Sequence, residues 1–129
     1  MSINTEISFG EFLDKLTILD IKRERIRDKE KLANVLHERD VLNKIWKEHE
    51  KSSIDISSEY NALKNINEQL WEIEDDIREK ERNKEFDKEF IELARAVYVT
   101  NDERARIKKE INLKLGSDLV EEKSYSDYK

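Results

Sequence analysis

The chain has no cysteine, no proline and only two glycines in 129 residues. Without cysteine there is no disulfide framework, no thiolate metal site and no cysteine nucleophile. The scarcity of Gly and Pro removes the residues on which turns and sheets depend, and leaves long helices as the natural element. No apolar run approaches the ~20 residues of a membrane span. The N-terminal stretch MSINTEISFGEF has no basic segment leading into an apolar core, so no signal peptide is expected. The expectation is a cytoplasmic protein with no membrane partner.

Charge is what the chain has in abundance. Charged residues make up 43% and apolar ones 36%, with a net charge of −6. That balance disfavours wholesale binding to nucleic-acid phosphates. So much charge is also compatible with disorder. The apolar residues are periodic, however, and a disordered chain has no reason to space them.

The periodicity divides the chain into helical segments of about 9–28, 30–50, 58–83 and 87–115. The expected class is all-α: an antiparallel bundle, or helical hairpins, of three to four long helices. Residues 1–129 form a single domain and 117–129 a polar, non-helical C-terminal tail. The first segment opens on Ser8-Phe-Gly-Glu11, a capping-box pattern. Phe9, Phe12, Leu16, Leu19 and Ile26 recur at helical steps, with Arg23 on the same stripe and Leu13 widening it. Ile18 and Ile21 lie on another face. Helices apolar on two faces are usually sandwiched, either inside a bundle or at an oligomer interface, and the expectation drawn from Ile18 and Ile21 is a homo-oligomer with a dimer favoured. Asp28 is a possible cap, but no Gly or Pro forces a turn there, so residues 9–50 read either as two helices or as one.

The second segment carries Leu32, Val35, Leu36, Leu42, Ile45 and Trp46, and SSIDISS is a loop. Leu63, Ile66, Leu70, Ile73 and Ile77 then step as a coiled-coil seam, with Trp71 beside it. Asp87 can cap the last segment and Gly116 can end it. Leu119, Val120, Tyr125 and Tyr128 are possible docking points of the tail. In the last segment Phe90, Leu93, Val97, Thr100, Arg104, Ile107 and Ile111 keep one phase across Thr-Asn-Asp-Glu-Arg. That stretch also fits a capping box, but a true break would not preserve phase, so one continuous helix is expected.

SFGEFLDKLTILDIK, LWEIEDDIR, FIELARAVYVTNDERARIKKEIN and LGSDLVEEKSY resemble the signature stretches of a small family of helical proteins of unknown function from bacteria and phages. The resemblance implies an all-helical fold. It brings an association with genes for sugar transfer and cell-surface polysaccharide, and no role for any residue.

Two groups of residues are candidates for chemistry. Thr100 and Arg104 fall on a seam with Asn101 beside them, and buried polar groups need partners. The first helix offers Asp20 and Arg23. Antiparallel levels put Asp20 near His37, Trp71 and Thr100, and Leu16 near Asn67 and Arg104, so an Asp20–Arg104 pair is expected. Asp20, Arg23, Thr100, Asn101 and Arg104 form either a register-fixing network or a pocket for a small anionic ligand. The second group is Glu72, Asp75, Glu89 and Glu92. Such pairs resemble those with which all-helical nucleotide pyrophosphohydrolases hold Mg²⁺, and they would support a Mg²⁺-dependent nucleotide or phosphate-ester hydrolase. But 31 acidic residues produce about seven i,i+3 pairs by chance. The ribbon Glu68, Glu72, Asp75, Asp76 and Glu79 also lies outside the seam, where solvated acids belong. The main expectation is therefore no metal and no cofactor. His37 and His49 are too far apart along one helix to share a metal. Lys22, Arg23, Arg25, Arg27, Lys29 and Lys31 interleave with Glu24, Asp28 and Glu30 and read as self-paired surface charge. The functional expectation is an oligomeric helical interaction or binding module.

Overall fold

The computed structural model describes residues 1–129. Four helices account for the fold: α1 (Phe9–Arg25), α2 (Lys29–Glu48), α3 (Ser57–Arg82) and α4 (Lys88–Leu115), with a short 3-10 turn at Glu50–Ser53. The all-α expectation holds, and no helix is long and apolar enough to cross a membrane.

Local chemistry sets the ends. Ser8 Oγ accepts from the Glu11 amide at 3.1 Å, Asp28 from Lys31 at 2.9 Å and Asp87 from Phe90 at 3.0 Å. Each satisfies an orphan N–H of a first turn. Asp28 thereby starts a second helix after Ile26 has left the first at ψ 130°. Residues 9–50 are two helices. Gly116 ends α4 in the left-handed region, φ 69°, where a side chain would be strained. α4 runs unbroken through Thr100–Arg104. The tail beyond it is non-helical, and of its four expected docking points Tyr128 packs, against Tyr98, whereas Tyr125 is 82% exposed.

The helices alternate in direction. Lys15–Glu38 and Asp20–Arg39 pairs align α1 with α2, and the Lys114–Glu59 pair aligns α4 with α3. They do not form a square bundle. α1 packs on all three other helices, while α2 packs chiefly on α1. This central position corrects the expectation that Ile21 needs a second copy to cover it: Ile21 is 1% exposed within one chain.

The core joins Leu13 and Leu16 of α1 to Ile56, Leu63, Ile107, Ile111 and Leu115. Phe9, Phe12 and Trp46 close it at one end, where Phe9 also meets His49 edge-on. Every buried residue lies within 8–67 or 107–115; none lies between 68 and 106. α3 and α4 therefore continue past α1 as a bare hairpin. Its heptad residues Leu70, Ile73, Ile77, Leu93 and Val97 are only half-buried. At its tip Phe86 and Ile91 are each 56% exposed. The chain exposes 9430 Å², against the ~7,200 Å² typical of a compact monomer of this mass. Hairpin and extended tail carry the excess.

Candidate functional site

The polar site is built on a second face of α1. Gly10, Asp14, Thr17 and Ile21 step by 4, 3 and 4, and all are buried. This stripe meets Arg104, Lys108 and Asn112 of α4, which step by 4 and 4. At Gly10 the helices approach so closely that an added Cβ would lie 2.5 Å from the Lys108 carbonyl oxygen. The Gly10 N–H, one of the orphan donors of the first turn of α1, donates to Asn112 Oδ1 at 2.6 Å. Lys108 Nζ then reaches Glu11 at 2.7 Å and Glu121 of the tail at 2.8 Å. Burial acts to lower the Lys108 pKa, but the two carboxylates outweigh it and hold it above the ordinary value. The reciprocal half of the capping box is lost to this pairing, because the Glu11 carboxylate takes Lys108.

Asp14 is the centre of the seam. Its side chain is 3% exposed. Oδ1 accepts from Arg104 Nε at 3.0 Å and from Asn67 Nδ2 at 2.8 Å, and Oδ2 accepts from Arg104 Nη2. Asn67 Nδ2 also donates to Thr17 Oγ1 at 2.9 Å, and Thr17 donates to the Asp14 carbonyl at 2.7 Å. Asn101 Oδ1 accepts from Arg104 Nη1 at 3.4 Å. A buried carboxylate with a bidentate arginine and an amide has its lone pairs met, which is the condition under which a buried ion pair is tolerated. The hydrogen bonds to Asp14 hold the Arg104 guanidinium above its ordinary pKa.

Arg104 is thus held by a carboxylate inside the fold, but by Asp14 and not by Asp20. Leu16, Asn67 and Arg104 do share a level. The difference is one of face: Asp20 lies six residues from Asp14, which turns it toward α2. There it accepts from Arg39 Nε and from the Tyr60 hydroxyl, each at 2.6 Å. Burial and the Asp20 carboxylate both raise the Tyr60 pKa. Arg23 is exposed and Thr100 half-buried. The five expected residues are divided between two sides of α1, and only Asn101 and Arg104 stay together.

Those two residues and Asn67 line the polar side of an open groove of about 400 Å³. Ile18 and Ile21 of α1 and Leu70 and Trp71 of α3 form its apolar side. Glu74 and Asp75 stand at its rim. With Arg104 already neutralised by Asp14, these carboxylates make the groove a poor receptor for an anion. Arg25 lies over the Trp71 ring, 5.9 Å from its centroid.

The carboxylates of the metal reading do not converge. Glu72 pairs with Arg25, Glu89 with Lys80 and Glu92 with Lys88. No three His, Cys, Asp or Glu side chains are grouped to hold an ion. At the hairpin end Lys80 itself sits among Glu85, Asp87 and Glu89, at 3.0 to 3.1 Å from each. The basic segment departs from its expected self-pairing. Glu24 takes Lys64, Asp28 caps α2, and Arg25 takes Glu68 and Glu72. Lys22, Arg23, Arg27, Lys29 and Lys31 are left with no carboxylate partner in the chain.

Asp14, Thr17, Asn67, Lys108 and Asn112 escaped the sequence reading. A signal was available: Gly10, Asp14, Thr17 and Ile21 repeat at helical steps, and the smallest residue of that series marks the close approach. Helix, groove and seam together define an all-α protein whose polar centre is a structural ion pair beside an open cleft. The chain belongs to a family of unknown function, DUF6165, whose model matches residues 3–128. No curated protein and no solved structure matches it.

Proposed function

We propose that the protein is a homo-oligomeric interaction module, a dimer in its simplest form, working in the cytoplasm of a bacterium or its phage. The supporting observation is the stretch 68–106, which carries a heptad pattern and no buried residue. A two-helix seam leaves one side of each apolar residue in water, and a second hairpin laid against it makes a four-helix coiled coil. Small-anion binding and Mg²⁺-dependent hydrolysis have less support, because Arg104 is neutralised and the carboxylates are dispersed. Sedimentation velocity between one and several hundred micromolar tests the reading. A dimer is expected, with a melting temperature that rises with concentration. Monomer throughout that range, with a fixed melting temperature, removes it.

A further inference from the structure

We infer that the dimer is an exchange of ends, in which the hairpin tip of each copy enters the α1–α3–α4 groove of the other. The inference rests on the homo-oligomer reading and adds which surfaces meet. Knob and hole are both present on one chain. The knob is the tip, where Phe86 and Phe90 pack edge to face at 5.2 Å and Ile91 stands beside them in solvent. The hole is the groove, where Ile18, Leu70 and Trp71 are half-buried beside the closed Ile21. They face each other twice in a two-fold dimer, which is the self-complementarity that a closed interface needs.

Charge supports the same arrangement. The tip, residues 79–92, carries six acidic and four basic side chains, and residues 22–31 carry six basic and three acidic. In this basic corner Lys22 follows Ile18 by one turn on the groove side of α1, whereas Arg23 shares the opposite face with Asp20. Lys22 has no carboxylate partner in the chain and is positioned for the partner's Glu89 and Glu92, which are 73% and 60% exposed. The rim acids Glu74 and Asp75 have counterparts too: Lys84 and Lys88 of the tip, 75% and 90% exposed. Spacing fits as well. Trp71 lies eleven residues before Arg82, so the tip stands ~17 Å beyond the groove. Two antiparallel hairpins overlapping by that length bring each tip to the other's groove and bury the seam residues Ile73 and Ile77 between them. A side-by-side dimer with tips together would instead set acidic tip against acidic tip and leave both basic corners unmatched.

The absence of cysteine makes the test clean. Glu74 beside the groove is half-buried and Glu85 at the tip exposed, and the two can be replaced singly or together by Cys. A short bis-maleimide is added to Glu74→Cys, Glu85→Cys and the double variant, and the oligomeric state of each is measured by sedimentation. Covalent dimer is expected from the double variant alone, because like positions lie ~17 Å apart across the two-fold axis, beyond the reach of a short linker. A linked Glu85→Cys single variant, or a sedimenting dimer in which the double variant fails to link, overturns the exchange of ends and leaves the oligomer reading standing. Monomer alone overturns both. A charge swap gives a second readout. Glu89→Lys with Glu92→Lys, and separately Lys22→Glu, should each weaken dimerisation about tenfold, while all three together should restore it to within about threefold. Losses that simply add on combination overturn the proposed pairing.

Discussion

The two ends of the α3–α4 hairpin carry the same kind of sequence and have different fates. Near α1, Leu63 is 0% exposed and Ile107 3%. Fourteen residues along, Ile77 and Leu93 sit in the same heptad positions and are only half-buried. Nothing in the pattern distinguishes the halves. What differs is the presence of α1, which covers one side of the seam for seventeen residues and then stops. An apolar stripe states that something will cover it and does not say whether that cover comes from the same chain.

The largest contrast should appear when each half loses the same kind of side chain. Leu63→Ala empties a fully enclosed site and should destabilise the fold by about 3–5 kcal/mol. Ile77→Ala should change monomer stability by about 1 kcal/mol or less, and act instead on the dimer. Chemical denaturation at low and high protein concentration separates the two. Equal losses in dilute solution would erase the distinction between base and hairpin.

The ion pairs allow a sharper comparison inside the base. Arg104→Ala strands the buried Asp14 carboxylate and should cost about 2–4 kcal/mol, and Arg104→Met with Asp14→Leu should recover most of it. Arg39→Ala leaves Asp20, 16% exposed, with Tyr60 and some access to water, and should cost about 1 kcal/mol. A double-mutant cycle between Asp20 and Arg104 should show a coupling under about 0.5 kcal/mol, since they share no bond.

Gly10→Ala comes next. Its Cβ meets backbone and not a yielding side chain, so α1 and α4 must part, at about 1–3 kcal/mol. Gly116→Ala strains a left-handed residue in open space and should cost only about 1 kcal/mol. Melting curves of the two variants rank them.

The smallest effect belongs to the tail. The Lys108 hydrogen bond holds Glu121 below the ordinary carboxyl value of 4.5. A carboxyl whose folded pKa is depressed contributes stability above its unfolded pKa and loses it as pH falls through the folded one. The tail should stay docked at pH 5 and loosen below about pH 4. Amide exchange in residues 117–129, compared with Glu121→Gln at pH 7, measures this. Matching exchange in wild type and Glu121→Gln at pH 7 would show that the contact holds nothing.

Much of this fold was legible as pattern. Local chemistry carries its own geometry, so Ser8, Asp87 and Gly116 announced helix ends, Asp28 offered only a possible one, and unbroken phase announced α4 through Thr100–Arg104. Asp14 was hidden because its neighbours Leu13 and Leu16 dominate the stripe. A single acid among them resembles the many surface acids of a chain that is 43% charged. The level of Leu16, Asn67 and Arg104 was right; Asp20, expected beside Trp71, meets Tyr60 eleven residues before it, and its face was wrong. Levels follow from counting residues between turns, whereas the face toward a given neighbour depends on how each helix is rotated about its axis.

By itself, then, the sequence determined an all-α chain of three to four long helices, most of their ends and the excess of apolar seam. Only the tertiary structure decided that α1 sits at the centre, that Arg104 belongs to Asp14 while Asp20 belongs to Arg39 and Tyr60, and that the seam beyond residue 67 stays uncovered. Helix propensity, capping and periodicity act within a few residues of one another. Rotation and crossing are settled by contacts between residues such as Gly10 and Lys108, ninety-eight positions apart, where the absence of one methyl group lets two backbones meet.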